Sequence, residues 1–208
     1  MSYAATKGIT FQFIPPRAPH FGGLWEAAVK SAKGLLLKAI GSAKLRQDEL
    51  ATVLVEVEAI LNSRPIVVDG ANPNDGEAIT PAHLLVGGTL VPLPTGSGQP
   101  VRDDRLTYLQ RWQLISGIKQ RFWADWSKDY LLSLQQRQKW AVGRPDLENG
   151  TIVLVHEDNA PPQQWMLGVV QEAIKGADGK VRVAIVRTKA GEFKRAIHRL
   201  APLPVELF

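Results

Sequence analysis

FIPPRAPHFGGLWEAAVKSAKGLLLK, the stretch from Phe13 to Lys38, joins a loop rich in proline and glycine directly to a helical pattern. Glu26 lies in the first turns of the predicted helix. Because an α-helix turns by roughly 100° per residue, Lys30 and Lys33, at four and seven positions after Glu26, share its face. A carboxylate flanked by cations below a loop suits a phosphodiester. The same pattern is typical of a solvated helix face, so both interpretations stay open at this point.

The composition is that of a globular protein. Its 208 residues leave room for one large domain or two small ones, and hydrophobic residues make up 45% of them, enough to form a core. The absence of cysteine excludes disulfides and thiolate zinc sites. No apolar run suits a membrane helix, and the first residues lack the pattern of a secretory signal. We therefore expect an intracellular protein, nuclear or cytoplasmic, that is neither secreted nor bound to a membrane.

The net charge of +5 indicates an anionic partner, and the excess of positive charge lies in the second half of the chain. Residues 1–100 carry eight Lys and Arg against eight Asp and Glu, whereas residues 101–149 carry nine against six and residues 150–208 eight against six. Such an excess favours contact with nucleic acid, although many solvated surfaces carry as much.

Helical patterns and loops alternate in the first half. The alternation of apolar and polar residues at Ile9–Ile14 predicts a strand. Two amphipathic helices are predicted at Leu24–Ile40 and Asp48–Asn62. Residues 67–79 have loop composition, and Thr80-Pro81 predicts the capped start of a short helix. The apolar stripes of the two longer helices are Trp25, Val29, Ala32, Leu36 and Ile40, and then Leu50, Val53, Leu54, Val57, Ile60 and Leu61.

Residues 91–102 have the composition of a linker, and a long amphipathic pattern follows at Asp103–Trp140, with a kink or break possible near Gly117. Four tryptophans fall in this segment, and we expect most of them to pack between helices. An exposed one could instead stack on a nucleobase. These four are Trp112, Trp123, Trp126 and Trp140.

After Leu147 the period changes to that of strands. Strands are predicted at Ile152–Val155, Trp165–Ile174, Lys180–Thr188 and Glu192–Ile197, with tight hairpin turns before and after the third. Four or five short strands in about 55 residues suggest a small barrel that is closed or nearly closed. The sequence therefore predicts an α+β protein.

Few chemical motifs are present. None of the four histidines has metal-ligand spacing with another, and the sequence lacks a phosphate-binding glycine loop and a dinucleotide fingerprint. Glu26 remains as the candidate catalytic residue, although a glutamate at a helix start is most often a surface residue favoured by the helix dipole.

The segment PHFGGLWEAAVKSAK resembles the end of the catalytic core of retroelement integrases, specifically those of BEL/Pao-type long-terminal-repeat retrotransposons. Pro19 and Gly23 stand seven and three positions before Glu26, as in that family. The resemblance implies an RNase H-like fold, in which Glu26 is one carboxylate of a D,D-E triad and Lys30 and Lys33 contact DNA. LNSRPI at residues 61–66 and ITPAHLLVGG at residues 79–88 are similar to the motifs that end the core.

Residues 109–155 are similar to the uncharacterised domain that follows this core, which ends in a barrel much like the Src-homology-3-like barrel of retroviral integrases. The resemblance implies four segments in the order of the chain. These are a truncated RNase H-like core with its last strand and following helices at residues 1–90, a linker at 91–102, a helical segment at 103–147 and a small β-barrel at 148–208.

The chain departs from the integrase pattern at its catalytic site. No acidic residue precedes Glu26, so both aspartates of the triad are missing, as is the Cys/His zinc domain. The intact enzyme implied by the resemblance is a polynucleotidyl transferase that uses Mg²⁺ or Mn²⁺, and such chemistry needs several carboxylates to hold two cations. We therefore expect an incomplete metal site at Glu26, weak metal binding and no catalysis by this chain alone.

Two alternatives to the integrase fragment stay open. The helical and barrel segments could form a DNA- or chromatin-binding module, or the long helix could mainly mediate self-association. For the first, the expected phosphate contacts are Lys180, Arg182, Arg187, Lys189, Lys194, Arg195 and Arg199. The expected DNA partners are retroelement ends and target DNA.

Overall fold

The computed structural model describes residues 6–8, 13, 15, 23–69, 78–90, 107–135, 147–158, 160–177, 179–203 and 205–206. Of the strand predicted at Ile9–Ile14, only Phe13 lies among them. The predicted linker at residues 91–102 and Trp140 lie outside them as well. The described part of the chain is an α+β protein, as predicted, with four helices and two sheets.

Four helices follow the sequence signals closely. They are α1 at Gly23–Ile40, α2 at Gln47–Asn62, α3 at Pro81–Val86 and α4 at Tyr108–Leu134. Gly41 follows α1 and Gly87 follows α3 with φ of 58° and 78°, a left-handed conformation that glycine adopts at little cost. The Thr80 backbone N–H donates a hydrogen bond to His83 Nδ1 at the start of α3. The predicted N-cap at Thr80 is thus confirmed.

The long helix α4 runs through Gly117 without a break. Its 27 residues span about 40 Å. Gly117 is buried within the helix. The break considered near this glycine is therefore absent. No described helix is long and apolar enough to cross a membrane.

The helices α1, α2 and α4 share one core, which includes Ala32, Val53, Ile60, Ile118 and Phe122. In α2 the apolar stripe is only partly right, because Leu50 and Leu54 stay 39% and 48% exposed. The carboxylate residues Glu49 and Glu56 take the buried side of α2 together with Val53, Val57 and Ile60. In α1, Val29 is also exposed, contrary to prediction.

A five-stranded antiparallel sheet follows α4. Its strands are β3 at Ile152–Val155, β4 at Met166–Lys175, β5 at Val181–Thr188, β6 at Gly191–Ala196 and β7 at Leu200–Pro202, and a 3-10 turn at Ile197–Arg199 precedes β7. The four predicted strands are confirmed to within one residue at most ends. The order across the sheet is β6-β5-β4-β3-β7. Among the described residues the outer strands do not pair with each other, so backbone hydrogen bonds do not close a barrel.

A second, three-stranded sheet was missed by the sequence reasoning. It joins β1 at Val67–Asp69, β2 at Ala78–Ile79 and β8 at Val205–Glu206, in the order β2-β1-β8. Residues 67–79 were predicted to be a loop, and that prediction is wrong at both ends of the range. Strand β1 pairs with β2 in antiparallel and, on its other side, with the distant β8 in parallel. Val68 of β1 is fully buried.

Aromatic side chains join the helices to the sheet. Trp165, just before β4, makes edge-to-face contacts with Trp123 and Tyr130 of α4, with ring centroids 4.7 and 5.5 Å apart. Trp123 and Trp126 are only 5% and 8% exposed. These two residues therefore pack between helices as predicted, whereas Trp112 is 44% exposed.

Candidate nucleic-acid interface

One face of α1 carries the predicted DNA-contacting lysines. Lys30 and Lys33 are both exposed, while Ala32 and Ala39 are buried in the helical core on the opposite side of α1. By helical geometry, position 26 lies on the same side of α1 as the two lysines. The side chain of Glu26 lies outside the described part of the structure. The backbone of α1 thus confirms the common face, and the two described lysines on it are open to a partner.

The seven basic residues predicted to bind DNA from the C-terminal segment do not form one patch. Lys180 precedes β5 and Lys189 follows it, so the length of that strand, about 23 Å, separates them. Arg182 lies near the first end of β5 and is exposed. Any single DNA contact would therefore use only part of the predicted set.

The outer face of the sheet carries charges of both signs. Arg187 and Lys194 are exposed and lie on one face, because Lys194 stands opposite Ile185, two positions before Arg187. Glu192 stands directly opposite Arg187, and Glu172 stands opposite Ile185 on the other side. Each of the two basic residues therefore has an acidic residue beside it on a neighbouring strand. This negative charge lowers the positive electrostatic potential that a phosphate would meet.

Arg195 points to the other face of the sheet and is already engaged. Its Nε and Nη2 donate hydrogen bonds to Glu157 Oε1 at 2.9 and 2.5 Å, and its guanidinium lies 4.9 Å from the centroid of the Phe193 ring. Arg199 similarly donates to Asp158 Oδ2 at 2.8 Å. That hydrogen bond holds the pKa of Asp158 below its usual range. Both arginines therefore bind acidic residues of the β3–β4 loop. These ion pairs would have to break before either arginine could contact a phosphate.

The sequence predicts an incomplete site for a divalent metal at Glu26. Glu26 is the first acidic residue of the sequence, and no group of three His, Asp or Glu side chains suited to a metal ion occurs within the described ranges. A two-metal site needs several carboxylates around cations about 4 Å apart. Such a set of carboxylates does not occur within the described part of the chain, and the incomplete site at Glu26 stays a prediction.

Two buried ion pairs fix α2 against α4. Arg111 binds Glu49 through two hydrogen bonds, and Lys119 Nζ lies 2.5 Å from Glu56 Oε2. Burial raises the pKa of Glu49, but hydrogen bonds from the Arg46 backbone N–H and from Arg111 outweigh it, so the pKa lies below its ordinary value. The pairs follow each other in the same direction along both helices. The two ion pairs fix how α2 and α4 are aligned along their lengths, and α1 packs against these two helices.

A cleft of about 730 Å³ separates the helical region from the five-stranded sheet. Its walls come from described residues in three stretches that are distant in sequence, 63–65 with 78–90, 157–158 with 160–167, and 188–195. The sequence predicted DNA contacts at Lys189 and Arg195 and a helix cap at Thr80, but not a cleft that these residues share. No local motif marks it, because only the tertiary fold brings the three stretches together.

Comparison with known proteins names no activity for this chain. Residues 110–203 match a family of unknown function, DUF5641. The match begins near the start of α4 and ends after β7, so it covers the long helix and the five-stranded sheet. No curated protein matches the chain significantly.

Proposed function

We propose that this chain is the C-terminal part of a BEL/Pao-type retrotransposon integrase and that its function by descent is DNA integration. The observation that carries the proposal is the face of α1. Lys30 and Lys33 are exposed there, on the side of the helix where position 26 lies, and the PHFGGLWEAAVKSAK motif surrounds them. In this role the two lysines bind phosphates of the DNA end.

The topology of the sheet supports an assignment of residues 148–208 to a Src-homology-3-like fold. In that fold five antiparallel strands follow one another, and the last returns beside the first after a short 3-10 turn. Here β7 pairs with β3, and a 3-10 turn at Ile197–Arg199 precedes β7. The helical fragment at the end of an RNase H-like core is proposed on the sequence motifs and on the helices α1 and α2.

In this proposal the chain binds DNA but does not cut or join it alone. Mg²⁺ or Mn²⁺ would supply the Lewis acid in an intact integrase, and Glu26 would be one of its ligands. Because this chain adds no second carboxylate nearby in sequence, we expect no strand transfer. A strand-transfer assay with Mg²⁺ that shows turnover, abolished by Glu26→Gln, would contradict this expectation.

A charge-reversal experiment tests the DNA contact. We expect Lys30→Glu/Lys33→Glu to weaken binding to a labelled duplex, measured by fluorescence anisotropy between 50 and 200 mM salt. The slope of log K against log salt should become shallower by about 1.8, because each lost phosphate contact removes about 0.9. Lys44→Glu/Lys128→Glu, with the same change in net charge at two other exposed lysines, is the matched control.

Two results would count against the proposal. Equal losses in the test and control variants would mean that only net charge matters. An absence of duplex binding by the native chain at 50 mM salt would remove the DNA role altogether.

A second candidate function is a non-catalytic DNA- or chromatin-binding module. It is favoured by the exposure of Arg187 and Lys194 on one face of the sheet. In this case Arg187→Ala/Lys194→Ala weakens duplex binding and the variant of the α1 lysines does not. The same titration thus separates the two candidates.

A further inference from the structure

Gln163, in the loop between β3 and β4, combines two unusual features. Its φ is 67°, and it is the one non-glycine residue of the described chain with a positive φ. Its side-chain Oε1 is buried and has no hydrogen-bond partner among the described residues. Strained backbone and an unsatisfied buried acceptor both carry a free-energy cost, and such features concentrate at functional sites. Gln163 lines the cleft, so a ligand there would find a hydrogen-bond acceptor.

Two aromatic side chains with fixed orientations line the same cleft. Trp165 is held by its contacts with α4 and by the hydrogen bond from its Nε1 to Ser63 Oγ at 3.2 Å. Phe193 is covered by the guanidinium of Arg195, which Glu157 holds in place. Flat rings and a guanidinium plane that cannot turn away are suited to stacking on another flat ring.

The opening of the cleft carries a cation. Lys189, in the turn between β5 and β6, lines the cleft and is exposed, and it forms no ion pair with the described residues. The acids Glu157 and Asp158 beside it are neutralised by Arg195 and Arg199. The remaining positive charge at the opening therefore favours an anionic group there. The aromatic side chains inside the cleft favour a neutral, flat group.

We propose that this cleft binds one unpaired nucleotide of a single-stranded nucleic acid. The base stacks against the aromatic wall, its amino group donates a hydrogen bond to Gln163 Oε1, and its phosphate contacts Lys189. A purely apolar ligand would leave the Gln163 oxygen unsatisfied, and a carboxylate inside would meet an acceptor rather than a donor. The volume lies within the range of about 300–1,000 Å³ that is typical of small-ligand sites.

The proposal rests on the nucleic-acid role proposed above and extends it to a different partner. A base that is paired within a duplex cannot enter a cleft, so the site selects unpaired nucleotides such as those at a frayed or processed end. The acceptor at Gln163 can take a hydrogen bond from the exocyclic amino group of adenine, cytosine or guanine, whereas an unpaired thymine offers only its ring N3–H as a donor.

The test is the binding of the whole chain to oligonucleotides of equal length, dA8, dC8 and dT8, and to a blunt duplex, followed by anisotropy and tryptophan fluorescence. AMP alone reports whether a single nucleotide suffices. We expect dA8 and dC8 to bind more tightly than dT8, and Gln163→Met to lower the affinity for dA8 about tenfold, which corresponds to about 1.4 kcal/mol. Duplex affinity should not change.

Matched variants guard against loss of folding. Gln171→Met, at an exposed glutamine of β4, is the control for Gln163→Met. Lys189→Ala should weaken dA8 and reduce its salt slope by about 0.7, whereas Lys128→Ala on α4 should not. Phe193→Leu, which keeps an apolar side chain but removes the ring, should also weaken dA8. Thermal unfolding checks that each variant is folded.

The outcomes separate the two proposals. Native protein that binds duplex but shows no effect of Gln163→Met on dA8 overturns the cleft proposal and leaves the duplex role intact. Loss of dA8 and duplex binding to the same extent in Gln163→Met overturns the cleft proposal as well. Native protein that binds neither nucleic acid nor AMP overturns both.

Discussion

The helical region and the five-stranded sheet place their charged residues in opposite ways. The helices bury Glu49, Glu56 and Lys119, each no more than 8% exposed. In the sheet the fully buried side chains are apolar apart from Thr188, and the ion pairs of Arg195 and Arg199 stay at the surface. Charged side chains are thus buried in the core of the helical region. In the sheet region they lie at the surface, outside the core.

The difference reflects how each region fixes its register. Apolar stripes on two helices can slide past each other by a turn at modest cost, whereas a buried charge must meet its partner. In the sheet, backbone hydrogen bonds and short turns already define which residues pair. Buried charges would therefore add a desolvation cost without specifying the strand register any further. Each of the following experiments tests one side of this contrast.

Breaking a helical ion pair should have the largest effect. Glu56→Ala leaves the ammonium of Lys119 buried without an opposite charge, so we expect a loss of about 3–5 kcal/mol in the free energy of unfolding. Glu157→Ala, which breaks the half-exposed pair of the sheet, should cost less than about 1 kcal/mol. Urea denaturation measures both. Similar losses in the two variants would refute the contrast.

Removing the aromatic joint between the regions comes next. Trp165→Ala deletes a ring packed on α4 and a hydrogen bond to Ser63, and we expect a cost of about 3 kcal/mol. Trp112→Ala, at a tryptophan that is 44% exposed, should cost about 1 kcal/mol or less and is the control. If the two regions fold independently, only the sheet transition should respond to Trp165→Ala, and two separate transitions would appear.

Backbone packing in the sheet gives a smaller effect. A Cβ added at Gly168 would lie 2.4 Å from Val186 Cγ1 and 2.9 Å from the Arg187 carbonyl oxygen. We therefore expect Gly168→Ala to cost about 1–3 kcal/mol. Gly34→Ala on α1, where nothing lies within 4 Å of the new atom, should instead stabilise by about 0.5–1 kcal/mol. Thermal unfolding of both variants tests the sign.

The smallest expected effect is a change of stability with pH, through the carboxyl group of Glu49. Because the pKa of Glu49 is lower in the folded state than in the unfolded chain, its contribution to stability is complete above the unfolded value, about 4.3, and is lost as the pH falls through the folded pKa. Because glutamine, unlike alanine, keeps a hydrogen-bond acceptor for Arg111, we expect Glu49→Gln to cost less than Glu56→Ala, about 1 kcal/mol at neutral pH. The difference from the native protein should shrink below about pH 4. A difference between Glu49→Gln and the native protein that stays constant with pH would contradict the assignment.

Local signals in the sequence predicted much of this fold. Thr80 and Gly41 mark helix ends through short-range chemistry, and the apolar run at Ile152–Val155 is a property of the strand itself. Features that involve a distant partner were missed. Val68 pairs with Val205 from the far end of the chain as well as with Ala78, and Glu49 is buried where Arg111 meets it.

The candidate site divides in the same manner. The common face of Lys30 and Lys33 follows from helical spacing, so it was predicted. The engagement of Arg195 by Glu157 and the exposure of Gln163 to a cleft depend on loops that the sequence leaves undefined. The number of basic residues in the sequence therefore predicted a larger positively charged surface on the sheet than the structure has.

The parallel pairing of β1 with β8 has a consequence for dividing the protein into pieces. The strand that completes the small sheet of the N-terminal half is supplied by the end of the C-terminal half. A fragment cut between α3 and α4 would therefore lose a sheet neighbour on one side and carry an unpaired strand on the other. The two pieces made separately should recognise each other and reassemble, as in a fragment-complementation system, whereas neither is a faithful substitute for the whole chain.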